Sequence, residues 1–215
     1  MKYDTVIFDL DGTLINSLGD LTASTNYALA AFGFPPVTVE QVRGFVGNGV
    51  ARLIHLALPA GTSAETEKKC LAVFKEHYKA HSAVLTAPYD GIDDTLLRIK
   101  ERGVKTAVVT NKMEEAAVSI VRSFFGSNID VVIGQVDGLK QKPEPDGVFK
   151  AIELLGADKS SCVYVGDSEV DCATAKNAGL PIIGCEWGFR DRKTLEDNSA
   201  DYIISSPDEI IDCIL

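Results

Sequence analysis

Short apolar runs that end in glycine or polar residues recur along the chain. Five of them read as buried strands: residues 4–10 (DTVIFDL), 104–110 (VKTAVVT), 129–134 (IDVVIG), 162–166 (CVYVG) and 180–184 (LPIIG). They are rich in β-branched residues and nearly continuous in hydrophobicity, which is typical of strands that are covered on both faces and therefore of a parallel sheet.

Stretches with helical spacing alternate with these runs. The pattern predicts helices over residues 93–102, 114–125, 146–155 and 169–178, and a glycine follows each of them directly. Glycine at that position favours the left-handed conformation in which many helices end. Strands and helices in alternation predict a doubly wound α/β domain with a Rossmann-like core.

Residues 16–84 interrupt this alternation, because no run among them reads as a strand. Apolar side chains recur at helical spacing over 18–32, and Thr38 with Gln41 fits a capping box at the start of a second helix. Two further helical stretches follow before the segment ends. We therefore interpret this segment as an all-helical insertion that acts as a cap or lid.

The chain of 215 residues thus divides into two predicted domains. Residues 1–15 and 85–215 form the α/β core, and residues 16–84 form the helical cap. A chain of this length can bury a substantial core without disulfides or structural metals. Its five cysteines are odd in number and lack zinc-site spacing, so we expect reduced thiols.

Acidic residues outnumber basic ones by 31 to 21, which gives a formal net charge of −10. Binding to nucleic acid or to an anionic membrane surface requires a basic face, so neither partner is expected. No apolar run approaches the ~20 residues of a membrane span. Acidic residues interrupt the apolar stretch at the N-terminus, which is unlike a signal peptide. We therefore expect a cytoplasmic protein.

Polar residues and one glycine occur at the ends of four of the predicted strands. They are Asp9, Asp11 and Gly12 after the first strand, Thr110 and Asn111 after the second, Lys142 after the third, and Asp167 with Asp171 after the fourth. Ligands of open parallel sheets bind at the carboxyl ends of the strands, so we expect these residues to lie together at one edge.

The carboxylates of this set predict a metal site. Asp9 and Asp11 are two residues apart on an extended chain, so both can face the same side. Together with Asp167 they form a cluster of like charges that is stable only beside a cation. Because the donors are oxygens and no histidine is among them, Mg²⁺ suits the cluster better than Zn²⁺.

A magnesium ion with open coordination positions attracts a phosphate group. Thr110, Lys142 and backbone N–H groups near Gly12 can hold the phosphoryl oxygens. One carboxylate is then available to attack phosphorus, and a second can protonate the leaving alcohol and later deprotonate water. The sequence therefore predicts phosphoryl transfer.

Four segments resemble the motifs of the haloacid dehalogenase superfamily of phosphatases: FDLDGT at 8–13, VVTNK at 108–112, QKPEPD at 141–146 and VGDSEVD at 165–171. The first and fourth segments are highly specific, whereas the other two would be weak alone. The resemblance spans almost the whole chain. It implies an α/β core and a small helical cap that closes over the site and selects the substrate.

The resemblance also implies a role for each acidic residue. Asp9 would be the nucleophile and a Mg²⁺ ligand, and Asp11 would be the general acid and base, with its backbone carbonyl on the metal. Asp167 would complete the protein ligands. Asp171 would support the metal through water or hold Lys142.

Four further residues would contact the phosphoryl group in this scheme. Thr110 and Lys142 would bind it and neutralise its charge, and Gly12 and Asn111 would complete its surroundings. The dehalogenase branch of the superfamily carries no aspartate at the position of Asp11. Halide displacement is therefore not expected.

The predicted cap contains a segment, RGFVGNGVARL beginning at Arg43, that resembles the cap loop of phosphoglycolate phosphatases. Gly47, Asn48 and Gly49 would let backbone amides approach an anionic substrate, and Arg43 would pair with a substrate carboxylate. A glycine-rich turn between helices, with Arg43 on the surface, is an equally good interpretation. Trp187 begins a WGFR segment that resembles the same subfamily, although a packed loop aromatic explains it as well.

The leading hypothesis is a Mg²⁺-dependent phosphatase that hydrolyses a small phosphomonoester through an aspartyl-phosphate, with 2-phosphoglycolate as the best candidate. A pyrophosphatase, a sugar-phosphate phosphatase or a phosphomutase would keep Asp9 and Asp11 and differ in the cap. Alternatives of another class are a phospho-accepting signalling domain and a non-catalytic binding protein, against which the complete motif set argues. The oligomeric state stays open between monomer and homodimer.

Overall fold

The computed structural model describes residues 2–215 and divides into two compact units. One unit contains the chain up to Asn16 together with Pro88–Leu215, and the other contains Ser17–Ala87. The insertion predicted at 16–84 therefore starts one residue later and ends three residues later than expected. No helix among the described residues is long and apolar enough to cross a membrane.

A parallel sheet forms the centre of the larger unit. The strands of the chain are β1 (Thr5–Phe8), β2 (Ile15–Asn16), β3 (Ala87–Pro88), β4 (Lys105–Met113), β5 (Val131–Gln135), β6 (Cys162–Gly166), β7 (Ile182–Cys185) and β8 (Tyr202–Ile204). Six of them lie in the order β5–β4–β1–β6–β7–β8, and every neighbouring pair is parallel. Strands β2 and β3 form a separate two-stranded sheet.

Helices connect the strands of the larger unit and make up most of the smaller one. They are α1 (Leu18–Ala30), α2 (Val39–Phe45), α3 (Gly49–Ala57), α4 (Ala64–His81), α5 (Ile92–Glu101), α6 (Glu114–Phe125), α7 (Asp146–Leu155), α8 (Glu169–Ala178), α9 (Arg192–Asp197) and α10 (Glu209–Ile214). Short 3₁₀ turns occupy Gly126–Asn128 and Lys159–Ser161. The predicted doubly wound α/β class is confirmed by this alternation.

The sheet buries both of its faces, as the continuous hydrophobicity of its strands predicts. Strand β1 shows this directly: Val6 and Phe8 contribute to the core on one face, and Ile7 contributes to a second core on the other. All three side chains are fully buried. Because β1 also pairs with β4 on one side and β6 on the other, its carboxyl end is held at the middle of the sheet.

The smaller unit is closed by a buried carboxylate near its start. Asp20, in the first turn of α1, accepts hydrogen bonds from the backbone N–H groups of Val84, Leu85 and Thr86 and from the Thr86 hydroxyl, at 2.7–3.0 Å. The two ends of the insertion are thereby joined. The predicted capping box is also present, since Thr38 and Gln41 each accept from the other's backbone N–H at the start of α2.

Candidate active site

The polar residues at the carboxyl ends of β1, β4 and β6 meet at one edge of the sheet. Asp9 directly follows β1, and its backbone N–H donates to the carbonyl of Val165 on β6 at 2.9 Å. This bond continues the strand pairing by one residue and fixes the Asp9 side chain, which is almost fully buried. The Nζ atom of Lys142 lies 2.8 Å from Asp9 Oδ1.

Lys142 is held between two carboxylates. Its Nζ lies 2.8 Å from Asp171 Oδ1 as well as 2.8 Å from Asp9, and it donates to the Tyr164 hydroxyl at 3.2 Å. Burial alone would lower the pKa of this ammonium, but the Asp171 and Asp9 carboxylates raise it well above its ordinary value. Lys142 is therefore a permanent positive charge beside Asp9.

Asp171 is fully buried, and both of its oxygens accept hydrogen bonds. Oδ1 accepts from Lys142 and from the Tyr164 hydroxyl, and Oδ2 accepts from the Ser168 hydroxyl and from the backbone N–H groups of Asp167 and Ser168. Ser168 and Asp171 also form a capping box at the start of α8. Of the two roles expected for Asp171, the structure directly displays the contact with Lys142.

Asp167 is enclosed by two tight turns. Its Oδ1 accepts from the Thr13 hydroxyl at 2.9 Å, and its Oδ2 accepts from the Phe189 N–H at 2.8 Å. A Cβ atom at Gly12 would lie 2.4 Å from Asp167 Oδ2, and one at Gly188 would lie 2.3 Å from Asp167 Cβ. Both positions thus require glycine, and Gly12 also has a positive φ of 95°.

The turn after Asp9 offers backbone donors. The N–H of Gly12 is already used, since it donates to the Ile15 carbonyl at 2.9 Å. Among the described residues, the N–H groups of Leu10 and Asp11 have no hydrogen-bond acceptor. These two consecutive amides, rather than that of Gly12, are the donors available to an anion beside Asp9.

Thr110 and Asn111 lie at the end of β4 and are both buried. The Thr110 Oγ1 accepts from the Lys112 N–H at 3.2 Å, which leaves its own proton for another acceptor. The Asn111 side chain contacts the backbone of Lys142 on both of its polar atoms. These two bonds fix the side chain of Asn111. Its predicted place beside the phosphoryl group stays a prediction.

Asp11 does not join the buried carboxylate cluster with its side chain. Its Oδ1 instead accepts from Lys112 Nζ at 2.8 Å. The carboxylates that do cluster are those of Asp9, Asp167 and Asp171, each of which places one oxygen within 4.8 Å of the others. The expected contribution of Asp11 to a metal site, through its backbone carbonyl, is independent of this side-chain placement.

The pKa values of two carboxyl groups in this cluster are strongly raised. Burial, together with the neighbouring carboxylates, raises the pKa of Asp9 to about 7, despite the opposing effect of Lys142. Burial and the Asp171 and Asp9 charges likewise raise the pKa of Asp167 well above its ordinary value. A cation between Asp9 and Asp167 would relieve both effects, and a set of buried carboxylates without nitrogen or sulfur fits a hard dication such as Mg²⁺.

Four residues of the smaller unit complete the predicted set. Arg43 lies near the end of α2 with its Nε 3.5 Å from Glu40 Oε2. Gly47 and Gly49 have positive φ angles of 124° and 77°, and Asn48 between them is the N-cap of α3 without a side-chain capping bond. The two glycines therefore form a tight turn between α2 and α3, which is compatible with both interpretations of this segment.

Several residues of the site were not predicted from the sequence. Tyr164 lies in the middle of β6 and reads as a core aromatic. Lys112 stood in the predicted motif without a role. Trp187 donates from Nε1 to the Thr13 carbonyl at 3.1 Å and thereby joins the turn that holds Asp167. Two of them carried a signal: serine three residues before Asp171 fits a capping box, and Trp187 begins the WGFR segment.

Comparison with known proteins identifies the family of this chain. Residues 6–185 match the family model of haloacid dehalogenase-like hydrolases. This chain belongs to that family. A Pseudomonas aeruginosa protein named phosphoglycolate phosphatase 1 is 34% identical over 214 residues, which cover 97% of this chain and 78% of the relative.

Two further relatives match over nearly their full length. N-acetylmuramic acid 6-phosphate phosphatase of Pseudomonas aeruginosa is 31% identical, and the alignment covers 100% of this chain and 96% of the relative. A crystal structure of a Lactobacillus delbrueckii subsp. bulgaricus protein superimposes with a TM-score of 0.94 at 32% identity. That protein is provisionally described as a phosphoglycolate phosphatase, and the match covers 100% of this chain and 99% of that chain. The chain is thus a phosphatase of this family, and the predicted enzyme class, a phosphoric monoester hydrolase, is confirmed.

Proposed function

We propose that this protein is a Mg²⁺-dependent phosphatase that hydrolyses a small phosphomonoester through an aspartyl-phosphate on Asp9. The observation that carries the proposal is the placement of Asp9: a buried carboxylate 2.8 Å from the Lys142 ammonium, clustered with Asp167 and Asp171. Asp9 and Asp167 would hold the metal, together with the backbone carbonyl of Asp11. Bound Mg²⁺ would neutralise the carboxylates and the phosphoryl oxygens.

The first step breaks the ester bond of the substrate. An oxygen of Asp9 attacks phosphorus, the bond from phosphorus to the ester oxygen breaks, and Asp11 gives its proton to that oxygen. Lys142, the Thr110 hydroxyl and the free N–H groups after Asp9 hold the phosphoryl oxygens while negative charge builds on them.

The second step restores the enzyme. Asp11, now a carboxylate, takes a proton from water, and the water oxygen attacks the phosphorus of the aspartyl-phosphate. The bond between phosphorus and the Asp9 oxygen breaks, and inorganic phosphate leaves. The two steps need one carboxylate as nucleophile and another as proton carrier, which matches the separate surroundings of Asp9 and Asp11.

We propose 2-phosphoglycolate as the substrate and the helical unit, Ser17–Ala87, as the cap that selects it. The similarity to proteins named phosphoglycolate phosphatase supports this choice, and so does Arg43, whose guanidinium suits a carboxylate. A sugar phosphate is the second candidate, because the relative named N-acetylmuramic acid 6-phosphate phosphatase matches the whole chain at 31% identity. The cytoplasmic location and the monomeric or homodimeric state stay predictions.

Release of inorganic phosphate from a panel of phosphoesters, with Mg²⁺ and with EDTA, tests the proposal. The panel contains 2-phosphoglycolate, pyrophosphate and several sugar 6-phosphates. We expect Mg²⁺-dependent release with the highest kcat/KM for 2-phosphoglycolate, and no turnover by Asp9→Asn. A sugar phosphate as the best substrate would overturn the substrate assignment, and full activity of Asp9→Asn would overturn the mechanism.

A further inference from the structure

The lysine that follows Asn111 in the second motif is buried against the proposed acid and base. The side chain of Lys112 is 2% exposed, and its Nζ lies 2.8 Å from Asp11 Oδ1. Lys112 occupies the penultimate position of β4, so the strand fixes where its side chain begins.

Stability alone gives a weak reason for this ion pair. Removing a lysine and a carboxylate from water costs about as much free energy as their attraction returns, and apolar residues in such places are often at least as stable. Asp11 is the more accessible partner, with its side chain 14% exposed. The structure thus buries the lysine and leaves the carboxylate at the edge of the site.

The two oxygens of Asp11 differ in their surroundings. Oδ1 accepts from Lys112, whereas Oδ2 has no hydrogen-bond partner among the residues that the structure describes. A carboxyl group that donates a proton needs one oxygen free to face the reacting group and a fixed orientation. The contact with Lys112 supplies the orientation and leaves Oδ2 free.

We propose that Lys112 is a positioning residue, which holds Asp11 by Oδ1 so that Oδ2 carries the proton to the leaving oxygen and from the attacking water. This inference rests on the proposed role of Asp11. The two buried lysines of the site then act on different carboxylates: Lys142 stands beside Asp9 and Asp171, and Lys112 stands beside Asp11.

The leaving group of the substrate separates this role from a structural one. An alkyl phosphate releases a strongly basic alkoxide and depends on the acid, whereas p-nitrophenyl phosphate releases a stable phenolate and does not. We compare kcat/KM, which reports the first step, for p-nitrophenyl phosphate, 2-phosphoglycolate and ethyl phosphate. Ethyl phosphate is included because it is an alkyl phosphate without a carboxylate.

In Lys112→Met we expect kcat/KM to fall at least about tenfold for both alkyl phosphates and less than about threefold for p-nitrophenyl phosphate. The reason is that a misplaced acid loses part of the rate enhancement from general acid catalysis, which is ~10²–10⁴-fold. Lys112→Arg, which keeps the charge and a donor, should recover part of the alkyl activity. Lys150→Met is the matched control, because Lys150 is exposed on α7. It should leave all three values unchanged.

Three results would overturn the inference. An equal loss on aryl and alkyl substrates would show that Lys112 is structural, and a circular dichroism melt with Lys112→Gln as a second variant would show whether folding is affected. A loss confined to 2-phosphoglycolate would show that Lys112 binds the substrate carboxylate. Unchanged kcat/KM on every substrate would show that Asp11 needs no partner.

Asp11→Asn, measured on the same substrates, separates this inference from the proposed function. If this variant shows the selective loss on alkyl phosphates and Lys112→Met does not, the positioning role fails and the role of Asp11 stands. If Asp11→Asn shows no selectivity for the leaving group, the acid role of Asp11 fails, and the inference about Lys112 fails with it.

Discussion

The side-chain amide of Asn111 pairs with both backbone polar groups of Lys142. Its Oδ1 accepts from the Lys142 N–H at 2.8 Å, and its Nδ2 donates to the Lys142 carbonyl at 3.1 Å. The loop that carries Lys142 is thereby tied to the end of β4, as if one residue of a strand were paired there. The ammonium can then reach Asp9 and Asp171 from a fixed backbone position.

Removing this amide should lower activity, because it releases the backbone of Lys142 from the end of β4. We expect Asn111→Ala to reduce kcat for p-nitrophenyl phosphate by about 10-fold to 100-fold, because a displacement of about 1 Å in a charged group can cost ~10² in rate. Asn177→Ala is the matched control, since Asn177 donates to the carbonyl of Pro143, the residue after Lys142, from an exposed position. A similar loss in both variants would contradict a specific role for Asn111.

The buried pair of Lys142 and Asp171 should matter for stability. Asp171→Asn removes the charge that faces Lys142 and sets an amide N–H₂ against groups that are themselves donors. We expect the free energy of unfolding in urea to fall by about 3–5 kcal/mol, the usual cost of breaking a buried ion pair.

Asp94→Asn is the control for this change, because Asp94 is an exposed residue in the first turn of α5. Its loss should stay below about 1 kcal/mol, the size of an exposed helix-dipole contribution. If Asp171→Asn unfolds at the same urea concentration as the wild type, Asp171 does not stabilise Lys142 as argued.

The sequence predicted the secondary structure of the core well where a local signal marks it. Helices α7 and α8 begin and end where predicted, because Gly156 and Gly179 take the left-handed conformation after them, with φ of 54° and 66°. Strand β8 was missed, since its three residues, Tyr202–Ile204, are too few to show a period. Local pattern therefore specifies the elements that carry the four motifs.

The sequence analysis did not predict contacts between residues that are distant in the chain. Lys112 and Asp11 are 101 residues apart, and only the pairing of β1 with β4 brings them together. The same holds for Phe189, whose backbone N–H contacts Asp167: a main-chain donor has no residue type that could signal it. The motifs thus predicted which residues lie at the site but not which of them hold the others in place.

Gly188 should be required for metal binding. A Cβ atom there would lie 2.3 Å from Asp167 Cβ and 2.5 Å from the Gly12 carbonyl oxygen, so Gly188→Ala must displace Asp167 or the turn beside it. Groups that orient metal ligands are typically worth 10–100-fold in affinity, and we expect a weakening of that size. Electron paramagnetic resonance of free Mn²⁺, used as a Mg²⁺ substitute, measures the affinity without turnover.

Gly44→Ala serves as the control for this substitution. Gly44 lies within α2, where an added Cβ meets no atom within 4 Å, so alanine should be tolerated. The Mn²⁺ affinity of Gly44→Ala should equal that of the wild type. Wild-type affinity in Gly188→Ala as well would mean that Asp167 tolerates the displacement or does not bind the metal.

Metal binding should release protons near neutral pH. The pKa of Asp9 is raised to about 7, so this carboxyl group binds a proton below about pH 7, and burial raises the pKa of Asp167 well above its ordinary value. A dication favours their ionised forms. The affinity for Mg²⁺ should therefore rise as the pH is raised from 6 towards 8 and level off once the carboxyl groups ionise without the metal.

Calorimetric titration with Mg²⁺ at pH 6.5, in two buffers of different ionisation enthalpy, measures this release. The observed enthalpy should differ between the buffers by the number of protons released multiplied by the difference in ionisation enthalpy. In Asp9→Asn one of these titrating groups is absent, so the difference should shrink. Equal enthalpies in the two buffers for the wild type would contradict the raised pKa values.

Arg43 offers the sharpest test of substrate choice within the helical unit. If its guanidinium pairs with a substrate carboxylate, Arg43→Ala should raise KM for 2-phosphoglycolate by about tenfold or more and leave KM for ethyl phosphate unchanged, since a charge-assisted hydrogen bond is worth ~1.5–3 kcal/mol. Arg52→Ala, at an exposed position of α3, is the control and should change neither value. Equal increases in KM for both substrates in Arg43→Ala would mean that the arginine stabilises the turn at Gly47–Gly49 and does not bind the substrate. The choice between a carboxylate-bearing substrate and a sugar phosphate would then depend on other residues of the helical unit.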